Sequence, residues 1–271
     1  IGLSAVRGAE AIYPRPFGAI TAASQKDYPV DLTHFNIMGT AVGAVGIRAD
    51  SDLATFPNVR TDLRVGSDRG IKLKMPIVIP GLGSTNVARD NWDGLAIGAA
   101  ISGLILTIGE NVCGMDEKSQ IKGGRVVKSP ELERRIKTFR DWADGYGDIA
   151  IQANVEDTRL GVQEYALEKL GIETVELKWG QGAKDIGGEV KISTLEKAKM
   201  LKDRGYIVLP DPHLPDVEQA FKKGVFKEFE RHSRVGMVEE EAFVDRVRQL
   251  REIGAKRVFL KTGAYRPADL A

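Results

Sequence analysis

The strongest constraint on how this chain can fold is an alternation that begins at Met75, where short apolar runs bounded by turns trade places with longer amphipathic stretches. Pro76-Ile-Val-Ile-Pro80, Leu104-Ile-Leu-Thr-Ile108, Asp148-Ile-Ala-Ile-Gln-Ala-Asn154, Thr174-Val-Glu-Leu-Lys-Trp179 and Arg257-Val-Phe-Leu-Lys261 each have the length and β-branched content of a buried strand. Helices are expected between them. One opens after Gly81-Leu-Gly-Ser-Thr-Asn86 and runs to about Ser102, one starts at Ser129-Pro130 and ends at Gly145 or Gly147, one spans about Thr158 to Gly171, and one runs from Glu239 to Ile253 before Gly254. Ser129 offers a capping oxygen and Pro130 a pre-set φ, the usual grammar of a helix start. A helix between consecutive strands is the crossover that parallel neighbours require, so these β/α units predict an α/β fold with a parallel sheet.

An open doubly wound sheet and an eight-stranded barrel both satisfy that pattern. The loops favour a (β/α)8 barrel of the TIM type, because polar or glycine-rich residues follow four different strands: Gly81 to Asn86, Gly109-Glu110-Asn111, Gln152 with Asn154, and the stretch after Trp179. Five units are visible, so three strands of such a barrel are missing from this chain. Residues 1–74 read as an irregular N-terminal cover, with an extended Tyr13-Pro-Arg-Pro-Phe17 and a glycine-punctuated Phe35 to Ile47. The barrel domain is expected over 75–271, interrupted after its fourth strand by a long insertion at 185–238. That insertion holds a helix near Thr194 to Arg204, a short apolar piece Tyr206 to Leu209, the turn Pro210 to Pro215 and a further helix, and it reads as a lid or a partner-facing extension. Ile1 is not an initiator residue and a helix is expected to begin near Pro267, so the chain is read as a segment of a longer protein.

Composition narrows the chemistry. A net charge of +1 over 271 residues gives no global field for nucleic acid or a membrane surface, and neither partner is expected. The five basic residues within Lys222 to Arg234 are interleaved with acidic ones and read as ordinary surface, as does the charged helix Glu239 to Arg251. No apolar run reaches the roughly 18 residues of a membrane-crossing helix and no secretory signal is read, so a cytoplasmic protein is expected. The three histidines, His34, His213 and His232, fall neither at strand ends nor at helical ligand spacing, which argues against a metal-dependent hydrolytic barrel and for no metal site. Cys113 is the single cysteine; it excludes a disulfide or a cysteine-ligated cluster within these residues and reads as a packed, inert thiol.

The chemistry is expected in Glu176-Leu-Lys-Trp-Gly-Gln-Gly-Ala-Lys-Asp-Ile-Gly-Gly-Glu-Val190. Lys178 stands at the end of the fourth strand. Gly180, Gly182, Gly187 and Gly188 let the backbone approach a ligand, while Lys178, Gln181 and Lys184 supply donors suited to carboxylate or phosphate oxygens.

This stretch, read as Glu176-Leu-Lys-Trp-Gly-Gln-Gly-Ala-Lys184 with Gly187-Gly188 following, resembles the FMN-binding (β/α) barrel of glutamate synthase, of the large-subunit, archaeal or ferredoxin-like type. There the corresponding strand and loop carry a lysine, two residues, Gln-Gly-Ala-Lys and a glycine-rich continuation. Pro76 to Asn86 is similar to that family's first strand and loop, Thr107-Ile-Gly-Glu110 to its Thr-Gly-Glu, and Arg159-Leu-Gly-Val162 to its Arg-Phe-Gly-Val. Pro210-Asp-Pro-His213 is similar to its Pro-Pro-Pro-His turn and Phe259-Leu-Lys261 to its Val-Lys-Leu strand; the likeness spans roughly residues 30 to 271.

The resemblance implies an FMN flavoprotein of glutamate biosynthesis and nitrogen metabolism, an oxidoreductase of the class acting on CH–NH2 donors. It would reduce 2-iminoglutarate, formed from 2-oxoglutarate and ammonia or glutamine-derived nitrogen, to L-glutamate. Carried over by residue, Gly81, Leu82, Gly83 and Ser84 would pack against the flavin, Gln152 and Lys178 would approach it, and Lys261 would sit near N1 and O2. Lys178, Gln181 and Glu110 would be catalytic, and Gln181, Lys184 and Glu110 would hold the dicarboxylate. The expected partners are ferredoxin or an NAD(P)H-linked flavoprotein as electron donor and an amidotransferase domain or subunit elsewhere. An iron-sulfur cluster and the flavin phosphate loop are expected beyond residue 271. The sequence departs from the family in its first loop, Pro-Gly-Leu-Gly-Ser-Thr-Asn instead of Ser-Ala-Met-Ser-Phe-Gly, and in continuing Glu110 as Asn111-Val-Cys-Gly. Two readings stand beside the main one: an N-methylglutamate synthase-like amine transferase, and a non-catalytic barrel subunit.

Overall fold

The computed structural model of the chain describes residues 61–66, 70–178, 190–232, 234 and 240–261. It begins with β1 (Leu63–Val65) and β2 (Ile71–Leu73), an antiparallel hairpin. This part of the expected irregular cover is therefore ordered sheet; strands of three residues are too short for alternation to register in a sequence. β3 (Val78–Leu82) follows and runs two residues past Pro80, into what reads from sequence as a tight loop. Its pairing is interrupted between Ile79 and Leu82, where Pro80 lacks an N–H, and resumes at Leu82.

The helix expected from Asn86 to Ser102 is divided into α1 (Asn86–Asp90) and α2 (Trp92–Ile101). At the break, the Asn91 side chain donates to the Val87 carbonyl at 2.9 Å, the local competition that makes asparagine a poor helix-interior residue. β4 (Ile105–Ile108), α3 (Val112–Met115) and a hairpin of β5 (Gln120–Lys122) and β6 (Arg125–Lys128) come next. The hairpin turns on Gly123 and Gly124, both at positive φ, as a two-residue turn of this hand requires. α4 (Pro130–Arg140) stops short of the glycines expected to end it. The residues after it are tied to β2 instead: Lys74 Nζ binds Asp144 at 2.6 Å and the Gly147 N–H donates to the Lys72 carbonyl at 2.8 Å.

After β7 (Asp148–Ala153) the expected third helix is again two, α5 (Val155–Arg159) and α6 (Val162–Glu168), parted by Gly161 at φ 67°. α5 starts earlier than the sequence reading placed it, because Asn154 and Asp157 form a reciprocal capping box. β8 (Thr174–Lys178) is as expected. The insertion holds β9 (Val190–Ile192), α7 (Leu195–Asp203), β10 (Ile207–Leu209), α8 (Pro215–Lys222) and β11 (Phe229–His232), its strands forming an antiparallel sheet in the order β10-β11-β9. α9 (Glu240–Glu252) and β12 (Arg257–Lys261) complete the described chain.

The centre is a five-stranded parallel sheet in the order β12-β8-β7-β4-β3. Each new strand is added on the same side as the one before, with no reversal. One face packs on the helices: Leu106, Ile108, Ile149, Ile151, Val175 and Leu177 share a core with Trp92, Leu132, Phe139 and Ala166. Ile192, Leu201, Val208 and Phe229 of the insertion belong to the same core. Along each strand the alternate residues point to the opposite face. At the amino ends of the strands that face is plugged by the first hairpin, whose Ile71 and Leu73 cluster with Ile105 and, partly buried, Phe259. The Lys74 N–H reaches the Gly103 carbonyl at 3.2 Å, joining the hairpin to the approach to β4.

Candidate active site

On the face away from the helices, strand register lays side chains in rows. Thr107 lies beside Ala150, Ala150 beside Thr174 and Thr174 beside Arg257; one step on, Gln152 lies beside Glu176 and Glu176 beside Phe259; at the carboxyl end Lys178 lies beside Lys261. Neighbouring like charges in a sheet repel unless something compensates them. For Lys178 that partner is Glu110, which arrives from the loop after β4 and meets the ammonium at 3.0 Å, with 24% of the carboxylate side chain and 16% of the lysine exposed. Among the described residues Lys178 has no other hydrogen-bond partner, so its ammonium keeps donors to offer. Lys261 is exposed beside it. Below this pair, buried Gln152 donates its amide to the Glu176 carboxylate.

The loops that frame the pair are fitted together by glycine. At Gly109 a Cβ would stand 2.4 Å from the Gly83 nitrogen, and at Gly83 one would stand 2.8 Å from the Glu110 carbonyl oxygen. The Gly109 N–H donates to the Leu82 carbonyl at 2.8 Å. The absent side chains thus let the exits of β3 and β4 lie against each other and set the height at which Glu110 leaves the sheet. At Gly81 a Cβ would meet the Gln152 side chain at 3.0 Å. Behind the first loop, Arg135 of α4 is 1% exposed; its guanidinium donates to the carbonyls of Leu82 and Gly83 at 3.0 and 2.9 Å and binds Glu131 at 2.8 Å. It also lies 4.8 Å from the centre of the Trp92 ring, and the indole donates back to the Arg135 carbonyl at 3.1 Å. A buried cation with this many acceptors is a clamp on the loop.

Of the residues the sequence singles out, Lys178, Glu110 and Lys261 are brought to the carboxyl ends of the strands, with Gln152 and Gly81 one layer beneath, Leu82 at the end of β3 and Gly83 in the abutting loop. Ser84 stands apart: it lines a recess of about 270 Å3 with Arg89, Lys118, Arg134 and Lys197 that Lys178 does not share. Gln181 and Lys184 lie outside the described residues, as do His34 and the stretches around Tyr13 and Phe35. His213 pairs with Asp203 at 2.8 Å and His232 with Glu230 at 3.3 Å, both on the insertion. Among the described residues no group of three or more His, Cys, Asp or Glu is placed to hold a metal ion, and no helix is long and apolar enough to cross a membrane. Cys113 is fully buried in α3, and burial pushes its thiol far above the usual range, with Ser129 opposing the shift.

Three contributors escaped the sequence reading. Thr107, on the same face as Gln152, is buried with no hydrogen-bond partner for its hydroxyl among the described residues. Arg135 gave no sequence signal, since an arginine on a charged helix reads as surface. Asp157 did give one, the Asn154-x-x-Asp157 spacing of a capping box. Comparison of the chain with family models, with curated proteins and with solved structures finds no match.

Proposed function

We propose that the chain is the FMN-binding half of a glutamate synthase-type oxidoreductase that reduces 2-iminoglutarate to L-glutamate. The observation that carries the proposal is the Lys178–Glu110 pair at the carboxyl ends of parallel strands, with Lys261 as the register partner of Lys178. The one-directional strand order favours a (β/α)8 barrel, since a doubly wound sheet reverses direction part-way. Closure of the amino ends by the hairpin supports placing the chemistry at the opposite end.

The donor set suits the cofactor. Lys178 and Lys261 offer two cations to an electron-rich ring, and the first loop can approach it only by its backbone, because the places of the missing Cβ atoms of Gly81 and Gly83 are taken by Gln152 and the Glu110 carbonyl. Residues that would hold FMN are thus Gly81 to Gly83, Lys178 and Lys261, with Gln152 stiffening the floor, while Ser84, expected among them, lines the separate recess. When bound, FMN supplies the hydride. The chain's own part is to orient and to handle charge. The Lys178 ammonium, steered by Glu110 and partly withdrawn from water, binds a carboxylate or imine-bearing carbon chain in one pose, and Gln181 and Lys184 are proposed to complete that grip. Glu110 Oε2, 3.0 Å from the lysine nitrogen, is the acceptor through which a proton can pass to the product amine. Ferredoxin or an NAD(P)H-linked flavoprotein, an amidotransferase supplying ammonia, and an iron-sulfur cluster outside this chain belong to the same proposal, as does a cytoplasmic site of action.

The test is a visible spectrum of the full-length protein, then addition of 2-oxoglutarate and ammonium to reduced, bleached enzyme. The expected result is a flavin spectrum that returns with both substrates together and with neither alone. A flavin that reoxidises with another amine donor would move the assignment to the N-methylglutamate synthase-like transferase. A colourless protein that takes up no added FMN would replace it with a non-catalytic barrel subunit.

A further inference from the structure

Behind the Lys178–Glu110 pair, the loops that leave β4 and β7 are tied together by one carboxylate. Asp157, in the first turn of α5, is 1% exposed. Its Oδ2 accepts the backbone N–H of Asn111 at 2.9 Å and that of Asn154 at 3.3 Å, and its Oδ1 has no hydrogen-bond partner among the described residues. Asn111 follows Glu110 directly and holds φ at 64°, a left-handed conformation found in no other non-glycine among the described residues. Such a residue stays there only when its surroundings hold it. Two contacts do so. Asp157 takes the N–H, and the Tyr206 hydroxyl donates to Asn111 Oδ1 at 3.4 Å from the insertion. Room for that hydroxyl exists because residue 114 is glycine, where a Cβ would fall 1.6 Å from the tyrosine oxygen.

We propose that Asp157 is the positioning residue of this site: by holding the Asn111 backbone in its left-handed turn, it aims Glu110 at Lys178. The inference rests on the reading of that pair as the working site.

The groups facing Asp157 set its charge. Glu110 faces it from the loop after β4, Cys113 from α3, Tyr206 from the approach to β10 and Arg231 from β11, with Glu156 and Arg159 on its own helix and Arg234 bound to Glu156 at 2.9 Å. Burial dominates and pushes the carboxyl up to about 7; the Asn111 N–H opposes it, the Glu110 charge adds to it, and the Asn154 N–H and Arg231 oppose it. Oδ2 can accept both N–H groups in either protonation state, so the proton belongs on Oδ1. An unfolded aspartate ionises near 3.8 while the folded one keeps its proton to about 7, so the stabilising share of this group is whole below about pH 4 and is lost as pH rises to about 7.

The experiment compares wild type, Asp157→Asn and Asp157→Ala in the full-length protein, by unfolding from pH 4 to 9, by exchange of the Asn111 amide, and by the pH profile of imine reduction. Asparagine keeps the acceptor and cannot ionise. Its stability relative to wild type should therefore grow between pH 4 and 7 and hold level above, with the Asn111 amide still protected and an inflection near pH 7 missing from its rate profile. Alanine should expose the Asn111 amide and lower kcat about tenfold, by loosening Glu110. An alanine variant with wild-type Asn111 protection and wild-type kcat would overturn the proposal. If the protein reduces no imine at all, the functional reading fails, while the unfolding and exchange arms still judge Asp157.

Discussion

The two ends of the parallel sheet both carry cations against carboxylates, and they use them differently. At the amino ends Arg257 donates to Thr174 Oγ1 at 2.7 Å, to Asp148 at 3.0 Å and to Glu173 at 3.2 Å, Thr174 itself donates to Asp148, and Lys256 binds Glu173. That network stitches the starts of β7, β8 and β12, and the β1–β2 hairpin plugs the same end. At the carboxyl ends Lys178 has a single described partner, lies beside Lys261, and is reached by a loop whose backbone is strained into place. The same side-chain types are structural where their hydrogen-bonding capacity is used up and chemically available where it is not. Charge alone does not mark a site; spare donors at an open edge do.

That contrast can be attacked directly. Gly109→Ala strikes the carboxyl end hardest, since the new Cβ would press on the Gly83 nitrogen and the Leu82 carbonyl carbon at 2.4 and 2.6 Å, both backbone atoms. A loss of about 3 kcal/mol by urea unfolding is expected, together with loss of flavin uptake. A tolerated alanine would mean that the exits of β3 and β4 do not abut. Arg257→Met leaves Asp148 and Glu173 without their shared cation; about 2 kcal/mol of stability should go, discounted for partial solvent exposure, while flavin uptake stays near wild type. If uptake falls with stability, the two ends are not independent. Lys178→Gln should cost under about 1 kcal/mol in unfolding, as for a partly exposed pair, yet slow imine reduction about 100-fold. Equal activity would place the chemistry elsewhere. The smallest effect is expected at Cys113: its buried, undissociated thiol should resist alkylation in the native protein and react once urea unfolds it.

Much of this was readable from the chain. The five parallel strands stand where short β-branched runs predicted them, and Lys178 lies at a strand end as the sequence implied. Helix ends were less legible. Gly161 lies inside an expected helix and parts it at positive φ, and Asn91 divides another through one side-chain hydrogen bond that no periodicity reports. The pairing of Glu110 with Lys178 joins residues 68 apart, and nothing local announces it. β9 and β11 were missed because three or four residues with charged neighbours look like surface until a partner strand covers one face.

Local patterning was enough to settle the α/β class, the parallel direction of the strands and the end of the sheet at which polar loops gather, because those follow from periods of two and 3.6 residues and from the crossover a parallel neighbour demands. Tertiary structure alone chose which end the hairpin closes, which carboxylate meets which cation, and that Asp157 and Arg135 are buried. Those depend on contacts between distant residues and on the removal of water around them, and burial is what turns an ordinary aspartate into a proton-holding strut and an ordinary arginine into a clamp.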